Sequence, residues 1–318
     1  MVCSNPIKAF HFKLANGESF IRFSVTKKNK HTDPYDNSVY YSTDSLSFDS
    51  PILSCVSLDL PCGKCPSCKL QRSIDWSVRM VHESLMHKDN SFITLTYDND
   101  HLPSDRLLCK RDVQLFIKRL RKAIYPANLR YFLCGEYGSK FKRPHYHIVF
   151  FGYKPDKLDT DLECKAGISQ IFRSSFIESI WSKGHCYVGS VTQKSCAYVA
   201  RYCTKKQDEN FPHKEFTLCS TRPGIGSSYF DLHYKDFYKE DSVILITDDI
   251  DKPLKSFRVP KYYDKLLLKV DPFKYASIKE RRSKFYENID VNQQFNKISF
   301  QREKVNRVLD RLPRLLED

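Results

Sequence analysis

Residues 143–152 read Arg-Pro-His-Tyr-His-Ile-Val-Phe-Phe-Gly, with His145 and His147 separated by one bulky aromatic residue. Side chains alternate faces along an extended strand, so both imidazoles point one way and Tyr146 points the other. Two imidazoles on one face can grip a single divalent metal ion. Two ordinary, hydrogen-bonded core histidines are the competing reading. A third ligand is at hand in Glu136, within Gly135-Glu-Tyr-Gly138 at the end of the preceding strand. If the two strands pair antiparallel, Glu136 returns beside His145. Two imidazoles and one carboxylate leave positions open for substrate oxygens and water. That set suits magnesium or manganese when the substrate brings phosphate oxygens, and it suits a closed structural zinc site less well.

A second constellation lies at Ser195 to Lys206, Ser-Cys-Ala-Tyr-Val-Ala-Arg-Tyr-Cys-Thr-Lys-Lys. On a helix Tyr198 and Tyr202 share one face, roughly 40° apart around the axis. Lys205 falls on the same face, and Arg201 and Lys206 flank it. A phenol ionises near pH of about 10 and is a poor nucleophile at neutral pH. Neighbouring cations favour its phenolate, and a metal-polarised phosphate is a better electrophile. Tyrosine is also among the residues that form covalent intermediates. An aromatic pair packed in a core is the alternative.

Cys62, Cys65 and Cys68 are spaced as metal ligands, with Cys55 upstream as a fourth. Four thiolates would close a tetrahedral zinc site; an iron–sulfur cluster or a metal-free reduced loop also fits the spacing. A zinc staple here would fix the basic helix that follows, letting Lys64, Lys69, Arg72 and Arg79 meet DNA phosphates. The other eight of the 12 cysteines are scattered, as small buried side chains are. The opening Met-Val-Cys-Ser-Asn-Pro-Ile-Lys has no apolar signal core, and no apolar run approaches a membrane span. Both point to a reducing, cytosolic setting.

The elements that must position these residues follow from periodicity. Residues 1–60 read as irregular short strands, and Lys69 to Met86 as an amphipathic basic helix. Phe92 to Tyr97, Leu129 to Cys134, His145 to Phe151 and His185 to Val191 read as strands. Asp112 to Ile124 and Ile168 to Trp181 read as helices, and Ser195 as the N-cap of a helix reaching Lys206. The loop from Gly135 to Pro144 leaves no room for a crossover helix, so its strands are antiparallel. The predicted class is α+β, an antiparallel sheet with helices packed on one face. Three regions are expected: 1–90 with the cysteines and basic helix, 91–253 around the histidines and tyrosines, and a charged helical tail over 254–318. Lys and Arg total 52 against 38 Asp and Glu, a net charge of +14, which favours a polyanionic partner.

Phe92-Ile-Thr-Leu-Thr-Tyr97, Pro144-His-Tyr-His147 and Tyr198-x-x-x-Tyr202-x-x-Lys205 occur in that order, and together they resemble the three motifs of the HUH endonucleases. Pro61-Cys-Gly-Lys-Cys-Pro-Ser-Cys68, Gly135-Glu-Tyr-Gly138, Arg222-Pro-Gly-Ile-Gly226 and Val259-Pro-Lys-Tyr-Tyr263 make the chain similar to the replication initiators of microviruses, of the gokushovirus type. The resemblance spans about Cys55 to Leu267. It implies a ferredoxin- or RRM-like palm, and rolling-circle initiation in the cytoplasm of a bacterial host. Tyr198 or Tyr202 would attack the origin phosphate, stay linked to the 5′ phosphate, and later rejoin the displaced strand. Lys205 would assist, because Arg201 stands where the family often has Lys. Origin DNA, a host helicase and a host DNA polymerase are the implied partners. A non-catalytic zinc-containing DNA-binding protein, or a relaxase or transposase of the same superfamily, is the alternative.

Overall fold

A computed structural model of the chain describes residues 3, 5–23, 30–32, 39–41, 52–138, 141–155, 160–162, 171–201, 215–245 and 255–287. The chain divides into two units, Met1–Lys69 with Asn292–Asp310, and Leu70–Val291 with Arg311–Asp318. The first unit holds β1 (Ile7–Leu14), β2 (Ser19–Phe23), β3 (Lys30–Thr32), β4 (Val39–Tyr41) and β5 (Ile52–Leu60). β1 pairs antiparallel with β2 and β5, and β3 pairs with β4. α1 (Pro66–Leu85) follows.

The second unit continues with β6 (Asn90–Thr96), α2 (Lys110–Ala123), β7 (Arg130–Tyr137), β8 (Pro144–Phe151), β9 (Thr160–Leu162), β10 (Ile171–Arg173) and α3 (Ser175–Trp181). It goes on through β11 (Cys186–Gly189), α4 (Gln193–Arg201), β12 (Phe216–Cys219), α5 (Ser227–Phe237), β13 (Ser242–Leu245), β14 (Lys255–Arg258), α6 (Lys261–Val270) and α7 (Pro272–Glu287). Seven strands form one sheet in the order β12-β7-β8-β6-β11-β10-β9, with every neighbouring pair antiparallel. The class is therefore α+β, with antiparallel sheets and, among the described residues, seven helices. None of those helices is long and apolar enough to cross a membrane.

Strand alternation sorts the core into two layers. On one side Ile93, Leu95, Leu133, Tyr146, Ile148 and Phe150 pack against Val113, Phe116, Ile117 and Leu120 of α2 and Ile177 and Trp181 of α3. Trp181 is fully buried, and its indole N–H donates to Thr96 O at 3.0 Å, so the ring's one polar atom is satisfied. On the other side Phe92, Phe132, Cys134, Val149 and Phe151 meet Met80 of α1 and Cys196 and Val199 of α4.

Two helix boundaries differ from the sequence expectation. The helix expected over 168–181 starts only at Ser175; Ile171–Arg173 is a strand whose Phe172 pairs with Val188. Ser174, in extended conformation, caps the helix by accepting from Ile177 N. Ser195 is not the N-cap of α4. Thr192 N donates to Ser195 Oγ at 2.8 Å and Ser195 N donates to Thr192 Oγ1 at 3.2 Å, a reciprocal capping box in which Ser195 takes the third helical position.

One buried ion pair ties the second unit together. Glu83 of α1 accepts from Arg130 Nε of β7, and its other oxygen accepts from Gly226 N at 2.6 Å. Arg130 also donates to Pro223 O at 2.8 Å. Arg79, one turn earlier, lies between the rings of Trp76 and Tyr262, 4.0 and 3.9 Å from their centroids, and donates to Ile225 O at 3.0 Å. The segment 222–226 is thus held from three elements. Gly226 is required there: its φ is +81°, and a Cβ would lie 2.5 Å from Tyr263 Oη. Burial alone would raise the Glu83 carboxyl, but bonds from His87, Gly226 N and Arg130 hold it below the ordinary carboxylate value. Nearby, burial pushes the His82 imidazole down to about 3; it stacks on Tyr229, Phe237 and Tyr263.

Removing one partner of such a pair strands the other, at a cost of about 3–5 kcal/mol. Glu83→Gln is expected to lower stability by about that amount in urea unfolding at pH 7. A carboxylate with a depressed folded pKa stabilises above its unfolded value and loses that contribution as pH falls through the folded one. The wild-type chain should therefore lose the Glu83 contribution below pH 4.5, and the difference between wild type and variant should shrink there. A difference that stays constant on acidification would refute the assignment.

Candidate active site

The β7–β8 and β6–β8 registers build one face row by row. Glu136, His145 and Thr96 are cross-strand neighbours; so are Cys134, His147 and Thr94, and then Phe132, Val149 and Phe92. The two histidines therefore share a face with the carboxylate, as the spacing required, while Tyr146 points into the opposite layer. Their ring centroids are 6.5 Å apart. Glu136 and His147 are each only 2% exposed.

Hydrogen bonds orient both rings. His145 Nδ1 donates to Arg143 O at 2.7 Å, which leaves Nε2 as its lone-pair donor. Burial lowers the His145 pKa, so the ring is neutral and suited to ligation. A Cβ on Gly138 would sit 3.2 Å from His145 Cε1, so the glycine leaves room for that ring. His147 Nε2 bonds Glu136 Oε1 at 2.6 Å, and its Nδ1 bonds Thr94 Oγ1 at 2.9 Å. A threonine hydroxyl donates or accepts, so it can serve either tautomer of His147. Two imidazoles and one carboxylate converging on a buried face fit a divalent cation that keeps open positions for phosphate oxygens.

Tyr198 of α4 reaches the same face. Its ring meets His147 edge-on at 5.3 Å and Phe92 at 6.3 Å, and the Arg201 guanidinium lies 5.5 Å from its centroid. Tyr198 is 7% exposed. Tyr202, Lys205 and Lys206 lie outside the described residues. Thr94 and Phe92 had no role in the sequence reading. Their signal was the alternation Phe92, Thr94, Thr96 on one strand face, which acquires meaning only once β6 is known to pair with β8.

The cysteine group lies wholly in the first unit, with one substitution against expectation. Cys3, not Cys55, joins Cys62, Cys65 and Cys68, and these four sulfurs all lie within 4.8 Å of one another. They can hold one metal ion. Cys55 is exposed on β5, opposite Phe12, and contributes nothing to the group. Cys3 and Cys65 sulfurs are 3.7 Å apart. Backbone N–H groups of Cys65 and Lys64 donate to Cys62 Sγ and lower its pKa, while burial pushes Cys68 up to about 12. No spacing rule links Cys3 to residues so far along the chain. Of the basic residues expected to meet DNA, Lys64 and Arg72 are exposed and Lys69 is half-buried. Arg79 is committed to packing between Trp76 and Tyr262, which accounts for it without a phosphate.

Residues 90–207, which include Glu136, His145, His147 and Tyr198, match the family model of the phage replication-associated protein ORF2. Over 339 aligned residues the chain is 32% identical to the replication-associated protein ORF2 of Spiroplasma virus 4, covering 100% of this chain and 99% of that one. It is 34% identical to the replication-associated protein VP4 of Bdellovibrio phage phiMH2K over 74% of this chain and 75% of the relative. It is 29% identical to the replication-associated protein ORF4 of Chlamydia phage 1 over 81% and 63%. No solved structure matches the chain. Near-complete coverage by relatives that are all phage replication proteins, together with the matched histidine and tyrosine segment, places the chain in the replication-associated protein ORF2 family, as a microvirus replication initiator.

Proposed function

We propose that the protein starts rolling-circle replication by nicking origin DNA through tyrosine attack and later rejoins the displaced strand. The observation that carries this reading is the edge contact of Tyr198 on His147, beside Glu136 and His145 on one buried face. A phenol and a three-residue ligand set have no reason to converge in a protein that only binds. Tyr198 and Tyr202 are the nucleophiles. The phenol oxygen attacks the scissile phosphorus as its proton leaves; the phosphotyrosine bond forms, the P–O3′ bond breaks, and a 3′ hydroxyl departs. The phosphodiester energy is retained, so the second tyrosine can repeat the exchange and close the circle without a nucleotide cofactor.

Glu136, His145 and His147 would hold magnesium or manganese, which when bound polarises the phosphate oxygens. Thr94 fixes the His147 ring through Nδ1, as second-layer partners of ligating histidines do. Arg201 and Lys205 supply positive charge beside the phenols. This chemistry resides within 91–253. The four-sulfur group of Cys3, Cys62, Cys65 and Cys68 takes zinc as a structural staple, and Lys64, Lys69, Arg72 and Lys206 add phosphate contacts. A host helicase and a host DNA polymerase complete the cycle in the bacterial cytoplasm.

Tyr198→Phe combined with Tyr202→Phe is expected to abolish covalent capture of single-stranded origin DNA; an adduct persisting on a denaturing gel would exclude tyrosine attack. Thr94→Val should weaken manganese binding about 10–100-fold by calorimetry on the DNA-free protein, and Thr94→Ser should restore it. Equal affinity in wild type and Thr94→Val would remove the positioning role. Elemental analysis should find about one zinc per chain, lost in Cys3→Ser and kept in Cys55→Ser. The reverse pattern would return Cys55 to the site.

A further inference from the structure

The side of the sheet away from the histidines carries a feature that the nicking reading does not use. α2 buries Val113, Phe116, Ile117 and Leu120, and exposes Lys110, Arg111, Lys118, Arg119, Arg121 and Lys122. Its one acid, Asp112, is turned inward and bonded to Tyr97 Oη at 2.8 Å. None of the six cations forms an ion pair among the described residues. Arg119 and Arg121 each donate to a backbone carbonyl, of Trp181 and Leu129. Arg111, Lys118 and Lys122 fall within roughly 40° of one another around the helix axis, a single stripe.

The stripe runs toward aromatic surface. Just past the helix, Tyr125 is 84% exposed. Beside it opens a cleft of about 710 Å³, lined by Ile124, Tyr153, Lys154 and Phe176, with Asp89 as its one acid. Phe176 is 43% exposed. A row of unpaired cations leading to exposed aromatic rings is the combination that holds single-stranded nucleic acid: cations track the phosphates, and rings stack on unpaired bases. Duplex DNA offers phosphates but keeps its bases stacked inside, so it has no use for Tyr125.

We propose that the exposed face of α2, with Tyr125 and the adjoining cleft, binds a single DNA strand separate from the one at Tyr198. α2 packs against Tyr146, Ile148 and Phe150, the opposite layer from His145 and His147. A strand lying here is therefore not the strand being cleaved. In a replication initiator the displaced strand is the single strand available to fill such a surface.

The test uses the full chain and a fluorescein-labelled oligothymidylate, with binding read by anisotropy across a salt series. Arg111→Gln, Lys118→Gln and Lys122→Gln together should make the slope of log K against log salt shallower by about 2, and weaken binding on the order of 100-fold at about 0.1 M salt. Tyr125→Ala should weaken it about 5- to 100-fold with the slope unchanged. A duplex of equal length should be little affected by Tyr125→Ala. Circular dichroism should show all variants folded, since every altered side chain is exposed. Unchanged oligothymidylate affinity and slope in the triple variant would overturn the proposal and leave the stripe to an acidic protein; equal losses on duplex and single strand in both variants would also overturn it. Adduct formation on a short oligonucleotide spanning only the cleavage site should be preserved in the variants. If the parent protein makes no adduct, the nicking reading fails, while the anisotropy result still decides this one.

Discussion

The antiparallel register of β7 on β8 is the constraint on which the site depends. It sets Glu136 opposite His145 and Cys134 opposite His147. A slip of one residue would turn the carboxylate into the layer occupied by Tyr146 and leave the histidines facing apolar side chains. The register is not held by the site itself. Phe132, Val149 and Phe92 on one face, and Leu133, Ile148 and Ile93 on the other, must each find their own layer. The polar row is therefore placed by the apolar rows beside it. Gly135 takes part as well: a Cβ there would lie 3.0 Å from the Phe216 ring of the neighbouring strand.

The buried Glu83–Arg130 pair does for the helices what the register does for the strands. It fastens α1 to β7 and to the segment ending at Gly226. Ile225, carried by that segment, belongs to the same buried cluster as Tyr198, Met80 and Phe132. The anchoring of the tyrosine helix thus rests partly on a carboxylate that takes no part in the chemistry. It also gives a physical reason for Arg222-Pro-Gly-Ile-Gly226 and Val259-Pro-Lys-Tyr-Tyr263. Pro223 O accepts from Arg130, Ile225 O accepts from Arg79, Gly226 leaves space for Tyr263, and Tyr262 covers Arg79.

What was legible in the sequence was whatever a local period encodes. His145 and His147 share a face because strands have period 2, and the apolar stripe of α2 follows from period 3.6. Glu136 was legible because its loop is too short for anything but an antiparallel return. Cys3 was not, since its place beside Cys62 comes from tertiary folding over a long separation, and Cys55 was the nearer residue in sequence. Thr94 was hidden for a similar reason: its bond to His147 crosses between strands far apart in the chain. The helix starts at Ser175 and Gln193 failed locally instead. Apolar residues at 168–172 mimic a helical stripe, and a Thr192–Ser195 box places the cap three residues before the serine that attracted attention.

The two sides of the large sheet answer different physical demands. On the histidine side the polar groups are few, nearly dry and bonded to one another, so their geometry is rigid and their electrostatics are little screened. On the α2 side the cations are numerous, wet and mutually independent. Contacts of the second kind give affinity that falls with salt and is indifferent to base sequence. Interactions of the first kind give little affinity but decide which bond is broken. Because the fully buried Tyr146, Ile148 and Phe150 lie between them, the surface charge of α2 can vary without moving His147 by a fraction of an ångström. Grip on DNA and the geometry of cleavage can then change separately in this fold, a separation that follows from the two-residue alternation of β8.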